Sequence, residues 1–196
     1  MTVRAHIDID ALAPKLSSRR IELRPIDAAD IKFLYQLVTS PETGFRWRYR
    51  GVIPPIDHFA RTLWDDVLVQ FIVESRDSGD DIGLVSAYTP DHHSGIVSLG
   101  VLMTPSARRS GAGAEAAALL IDYLFALWPF RKIYAEVVEF NLHQFSSVAV
   151  NLFREEGRFA DHYYFAGRYW DQVVLALYRD AWEERGRPLL TRLGGT

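Results

Sequence analysis

Six consecutive residues near the middle of the chain, Arg108-Arg109-Ser110-Gly111-Ala112-Gly113, set two guanidinium groups beside two glycines. A nearly continuous apolar strand pattern, Ile96 to Met103, runs into this segment. Pro105 breaks it, and a long helical pattern from about Gly111 to Leu127 follows at once. Glycines allow the backbone to turn tightly and to come close to a ligand. A helix that begins there presents amide N–H groups with no intrahelical partner, and its dipole adds partial positive charge. With Arg108 and Arg109 alongside, the segment is built to hold a phosphate or pyrophosphate. It lacks the Lys-Ser/Thr of the nucleotide-triphosphate loop. Ala116 stands where the dinucleotide fingerprint needs its third glycine. The pattern present is R-x-x-G-x-G, Arg108 to Gly113.

Other residues of chemical interest are less organised. His92 and His93 are adjacent in a turn, without the spaced carboxylate or histidine partners that a metal site needs, so no metal is expected. There is no cysteine. That removes disulfides, a thiol nucleophile and thiolate metal sites, and suits a reducing compartment.

The elements that must position the loop are legible from periodicity. "RRIELRPID" alternates as a first strand. Asp27 can cap a helix whose apolar face carries Ile31, Leu34, Tyr35 and Val38, with Pro41 near its end. A second short helix carries Ile56, Phe59, Leu63 and Val67. Strands follow over 69–77 and 82–91, then the strand before the loop, which reads as buried on both faces. After the long helix come a strand over 131–140, a helix from Leu142 to Glu156 closed by Gly157, and a terminal hairpin turning near Gly167. This is one mixed α/β domain with a single sheet, expected over 19–182, between an extension at 1–18 and a tail at 183–196. The 196 residues are 48 % hydrophobic and 24 % charged, which is ordinary globular usage. A net charge of −3 without a basic run gives no nucleic-acid footprint. The N-terminus does not read as a signal peptide. The longest apolar stretch, Ala116 to Phe130, is interrupted by Asp122 and too short to span a membrane. A cytoplasmic protein is expected.

An R/Q-x-x-G-x-G/A segment between a strand and a long helix resembles the acyl-coenzyme A pyrophosphate loop of the GNAT acetyltransferases, and the element order resembles theirs over 19–182. The opening "RRIELRPIDAADIKFLYQL" is similar to the ribosomal-protein N-terminal acetyltransferase-like branch. So is the close, with Asn141, Phe153, Glu156, Gly157, Gly167, Asp171 and Trp182 in order. The resemblance implies the GNAT fold, a central, mostly antiparallel sheet flanked by helices, and acetyl-coenzyme A or another acyl-coenzyme A as co-substrate. It also implies residue roles. Backbone groups of Val101, Leu102 and Met103 would hold the pantetheine arm and polarise the thioester. Arg108, Arg109, Ser110, Gly111, Ala112, Gly113 and Ala114 would cradle the pyrophosphate, and Asn141 would hold the arm from the other side. Three positions depart from the pattern: Gln144 replaces a frequent serine, Leu152-Phe153 replaces Gly-Phe, and Ser98 replaces an acidic residue that often serves as base.

Acyl transfer to an amine needs a base for the amine, a polarised carbonyl and a proton for the leaving thiolate. Glu136 and Glu139 lie on or just after the strand bordering the cleft; Glu136, between apolar neighbours, is the preferred base. Ser146 or Ser147 could protonate the sulfur, and Ser147 is the candidate carried forward. The ordinary alternative for each is a solvated polar position. In "GFRWRYRGVIPP", arginines alternate with aromatics where this fold shapes the acceptor site. Arg46 and Arg48, with Arg50, could fork onto an acidic acceptor, and Trp47 and Tyr49 could wall a pocket. The same pattern also suits arginines stacked on rings. The expected activity is transfer of an acetyl or short acyl group from coenzyme A to a primary amine, by direct attack in a ternary complex. The acceptor is a small molecule or a protein N-terminus, and a homodimer is compatible with the unread terminal segments. A fold retained only to bind or sense acyl-coenzyme A, and a donor carried as a carrier-protein thioester, are the alternatives.

Overall fold

The computed structural model describes residues 13–144 and 152–192; the side chains of Arg46 and Gln144 also fall outside that description. Seven strands form one sheet in the order β1-β2-β3-β4-β5-β7-β6. They are β1 (Ile21–Arg24), β2 (Val67–Ser75), β3 (Asp81–Asp91), β4 (Ile96–Met103), β5 (Lys132–Val138), β6 (Arg154–Phe165) and β7 (Arg168–Tyr178). Every neighbouring pair is antiparallel except β4 with β5, which are parallel. Parallel neighbours need a crossover, and α3 (Ala112–Leu127) supplies it.

The sheet has two apolar faces. Alternate residues of one face (Phe71, Val73, Val85, Val97, Leu99, Ile133, Leu177) meet Ala116, Leu119, Leu120 and Leu124 of α3. The other face meets α1 (Ile31–Thr39) and α2 (Ile56–Thr62): Leu34, Val38 and Phe59 cover Ile72, Leu84 and Leu102. Asp27 caps a short 3₁₀ turn that leads into α1, with Asp30 completing the box. Asp30 in turn takes both terminal nitrogens of Arg24 at 2.8 Å, a hydrogen-bonded pairing that lowers its pKa despite burial. Asp122, which interrupts the apolar run of α3, accepts from Trp182 and Arg187, each at 3.0 Å. The last stretch, running through Trp182–Gly186 into α4 (Arg187–Arg192), therefore packs Trp182 and Leu190 into the α3 side of the core.

Several local expectations are corrected. Ile56 is 46 % exposed rather than packed, and Val67 begins β2 instead of ending a helix. The helix expected over Leu142–Glu156 does not reach Glu156: Leu142–Gln144 belong to a 3₁₀ turn and Arg154 already opens β6, while residues 145–151 lie outside the described residues. Glu156 explains the change. It accepts from Lys132 Nζ at 2.6 Å, from Tyr134 Oη at 2.8 Å, and from the Tyr178 hydroxyl. These contacts tie the start of β6 to β5 across β7.

Hydrogen bonding to Lys132, then to Tyr178, lowers the Glu156 pKa to about 2. A depressed carboxylate stabilises the fold fully above its ordinary value of 4.5, and that contribution is lost as pH falls toward 2. Lys132 is 7 % exposed, so removing its partner leaves a buried ammonium. Glu156→Gln is expected to cost about 1–3 kcal/mol at pH 7. In urea unfolding, the gap to the native chain should close as pH falls from 4.5 toward 2. A gap that does not change with pH would mean that the glutamate acts by packing alone.

Candidate functional site

β4 and β5 pair only over Ile96–Ser98 and Lys132–Tyr134. Beyond that point β4 continues against β3 as far as Met103, and β5 continues against β7 as far as Val138. The two strands part, and among the described residues no strand pairs with the inner edge of Leu99–Met103. The expectation that this strand is buried on both faces therefore fails at the opening, where Val101 is 37 % exposed. Leu102 and Met103 send their side chains into the two opposite cores, so it is their main chain that is available to a ligand. The wedge is a polar slot lined by peptide groups, as an extended amide-bearing chain requires.

The glycine loop lies at the wide end of the wedge. Arg109 and Gly111 both take left-handed backbone, φ 64° and 87°. Glu115 N makes the first helical bond, to Gly111 O. The amides of Ala112, Gly113 and Ala114 come before that ladder, and Ser110 Oγ meets the one on Ala112 at 3.1 Å. Gly113 is closely packed as well: a Cβ there would lie 3.1 Å from Met103 Cγ. Arg108 donates to the carbonyl of Glu42 at 2.7 Å, linking this loop to the segment between α1 and α2. Arg20 had no signal in the sequence. It donates to Glu115 and to the Ser110 carbonyl from the approach to β1.

The segment between α1 and α2 crosses the α1/α2 face of the sheet. Trp47 lies on Gly100 of β4, where an added Cβ would come within 3.2 Å of its ring. Arg48 donates to the carbonyls of Thr62 and Asp65 at 2.8 and 3.2 Å, at and just past the C-terminal end of α2. Tyr49 packs beside Phe59 and reaches Thr62. Arg50 stacks on Tyr163, 5.0 Å from the ring centre. Phe45 stacks on Phe165 at 4.0 Å, and its carbonyl accepts from the Tyr163 hydroxyl. Phe140 and Trp170 complete an aromatic cluster with these rings. Tyr163 is buried, and its neighbour Tyr164 is 62 % exposed.

Polar groups gather where the strands part. Ser98 and Tyr134 are paired, so Glu136, two residues on, shares their face. Glu136 is exposed, and its Oε2 accepts from Gln172 Nε2 of β7 at 2.5 Å. Gln172 is 6 % exposed, and its Oε1 is a buried atom with no hydrogen-bond partner among the described residues. Tyr88, cross-strand neighbour of Ser98, is pushed up to about 12 by burial and, secondarily, by the charge of Glu136. It is therefore a hydroxyl donor at neutral pH. Asn141 lies in the 3₁₀ turn Glu139–Gln144 that follows β5, at the far lip. Ser146 and Ser147 lie outside the described residues, as does the side chain of Arg46. Tyr88 and Gln172 carry no sequence signal, because only the sheet register brings them to Glu136. His92 stacks on Phe130. Among the described residues, no three histidine or acidic side chains converge as a metal site would need, and no helix is long and apolar enough to cross a membrane.

Known proteins share this architecture. A curated relative, the spermidine N(1)-acetyltransferase of Escherichia coli K12, is 22 % identical over 171 residues, covering 83 % of this chain and 88 % of its own. The crystal structure of a spermidine N-acetyltransferase from Vibrio cholerae in complex with CoA and spermine superposes with a TM-score of 0.70 at 20 % identity, covering 83 % of this chain and 98 % of that one. A dodecameric structure of spermidine N-acetyltransferase from Vibrio cholerae gives 0.69 at 21 % identity, covering 84 % and 97 %. The acetyltransferase (GNAT) domain family matches residues 20–147. That match runs from the first strand past the parted pair and covers more than half of the chain, which therefore belongs to the GNAT acetyltransferases and moves an acetyl group from coenzyme A to an amine.

Proposed function

We propose that the acceptor is a small aliphatic polyamine, and that it enters over Trp47 to meet the donor where β4 and β5 part. The observation that carries this reading is the composition of the acceptor side. Two of the three arginines expected to seek an acidic acceptor have other partners: Arg48 holds carbonyls at the end of α2 and Arg50 lies on a ring, while the side chain of Arg46 lies outside the described residues. Among the described residues, an exposed carboxylate, Glu136, faces the opening beside aromatic walls. Rings and a carboxylate suit an alkylammonium chain. The likeness to spermidine acetyltransferases supports the same choice.

In this reading, backbone groups of Val101 to Met103 hold the pantetheine arm and polarise the thioester carbonyl, and Asn141 holds the arm from the β5 side. The residues from Arg108 to Ala114 bind the pyrophosphate. Glu136 takes the proton from the attacking nitrogen, directly or through water, with Gln172 fixing the carboxylate. The nitrogen bonds to the carbonyl carbon, the carbon–sulfur bond breaks, and the thiolate takes up a proton, for which Ser147 is the proposed donor. With no cysteine in the chain, the acetyl group passes directly between the two substrates.

A protein N-terminus is the second reading. It is favoured by the similarity of the opening and closing segments to the ribosomal-protein branch. The dodecameric relative widens the expected homodimer to a homo-oligomer.

The deciding experiment measures coenzyme A thiol release from acetyl-coenzyme A with spermidine, spermine and short N-terminal peptides as acceptors. A chain without cysteine gives this thiol assay no protein background. Polyamine turnover with inert peptides is expected, and the reverse would select the second reading. Glu136→Gln should lower kcat by about 100-fold or more while acetyl-coenzyme A affinity is kept. An unchanged kcat would remove Glu136 from proton transfer. Gly100→Ala should displace Trp47 and raise the acceptor KM several-fold, with the coenzyme KM unchanged. Equal effects on both KM values would show that Trp47 does not separate the two substrates.

A further inference from the structure

Arg20 approaches the coenzyme loop from the lead-in to β1. Its Nε and Nη2 donate to Glu115 Oε2 at 2.9 and 2.5 Å, and its Nη1 donates to the Ser110 carbonyl at 3.0 Å. Nη2 also lies 3.4 Å from where a Cβ on Gly111 would stand. The guanidinium therefore lies against the turn that leads into α3, and its side chain is 49 % exposed there. Glu115 is 2 % exposed and sits in the first turn of α3. A carboxylate in a first helical turn is normally welcome to the helix dipole. At this helix the same end must receive a pyrophosphate, and a buried like charge one turn below it would oppose that.

We propose that Arg20 and Glu115 form a charge-setting pair for the donor site. Arg20 neutralises the buried carboxylate, so the loop keeps the positive balance of Arg108, Arg109 and the helix end. In the same contact it holds the Ser110 carbonyl, which keeps that acceptor engaged beside the anion-binding amides. Arg20 is thus a positioning residue for coenzyme binding, although it lies 90 residues from Ser110 in the chain. The inference rests on the coenzyme reading of the Arg108–Ala114 loop.

A plain structural ion pair would make a different prediction. If the pair only ties β1 to α3, loss of either partner, Glu115→Gln included, weakens the site. If it sets charge, the two partners act in opposite directions. Calorimetric titration with coenzyme A at low ionic strength tests this on the native chain and on Arg20→Met, Glu115→Gln and the double variant, with circular dichroism to check folding. Arg20→Met is expected to lose affinity by about 30-fold, the size for a charged group left buried and unpaired. Glu115→Gln, which keeps an oxygen for Arg20, should bind at least as tightly as the native chain. The double variant should recover to within about threefold of native. A weaker Glu115→Gln, or a double variant no better than the single arginine variant, overturns the proposal. If Arg20→Met does not fold, Glu115→Gln and the double variant carry the test. A native chain that binds no coenzyme A overturns the loop reading and this inference with it; a native chain that binds while Glu115→Gln is weakened overturns the inference alone.

Discussion

Past Ser98 and Tyr134 the hydrogen-bond ladder between β4 and β5 is interrupted, and the rest of the molecule is arranged around that interruption. Unpaired strand edges are costly when buried and invite pairing when exposed. Here both strands are held from outside. β3 keeps β4 in register to Met103, and β7 keeps β5 in register to Val138. α3 packs beneath the sheet, and Trp47 lies on Gly100 above it. The inner edges cannot close on each other without breaking the outer ladders. What remains is a rigid slot of peptide donors and acceptors, open to a ligand that brings its own amides.

The two ends of the slot differ in character and are joined through the α1–α2 segment. At one end are guanidinium groups and a helix N-terminus; at the other are rings and a carboxylate. Arg108 donates to the Glu42 carbonyl, so the anion loop touches the start of the segment that carries Phe45, Trp47 and Arg48. That segment is pinned again by Tyr163 to the Phe45 carbonyl and by Arg48 to the carbonyls at the end of α2. In the reading proposed above, the loop that would hold the donor and the segment that would wall the acceptor are thus joined by one hydrogen bond. The contacts of Arg48 and Arg50 give the arginine-rich segment a reason for its composition other than direct contact with substrate.

Strands, the tight turn at Ala166-Gly167 and the anion loop were legible in the sequence because each is specified within a few residues. The glycine at 111 needs left-handed backbone, and its neighbours announce a helix start. Contacts that depend on sheet register left no such trace. Glu136 and Gln172 are 36 positions apart, and Arg20 and Glu115 are 95 apart. Glu156 misled for the same reason. Its helical neighbours and Gly157 read locally as a helix end, whereas its carboxylate is claimed by Lys132 and two tyrosines on other strands. Arginines alternating with aromatics also carry two meanings that local pattern cannot separate, and tertiary contacts at Arg48 and Arg50 supply the structural one.

The substitution of Ser98 for an acidic residue takes on a different meaning once the parted strands are in view. Ser98 is 8 % exposed and belongs to the last pair before the strands separate. A carboxylate there would be confined in the closed corner, beside Tyr88 and near Glu136, and two acids so placed would disfavour each other's charged forms. Glu136 occupies the same face one step further along β5, past the last pair and exposed, where an incoming amine can reach it. A serine at 98 accepts a hydrogen bond from Thr89 at 3.3 Å and leaves that corner neutral. In the reading proposed here the basic group has not been lost from the site; it stands on the opposite strand of the wedge, held by the amide of Gln172.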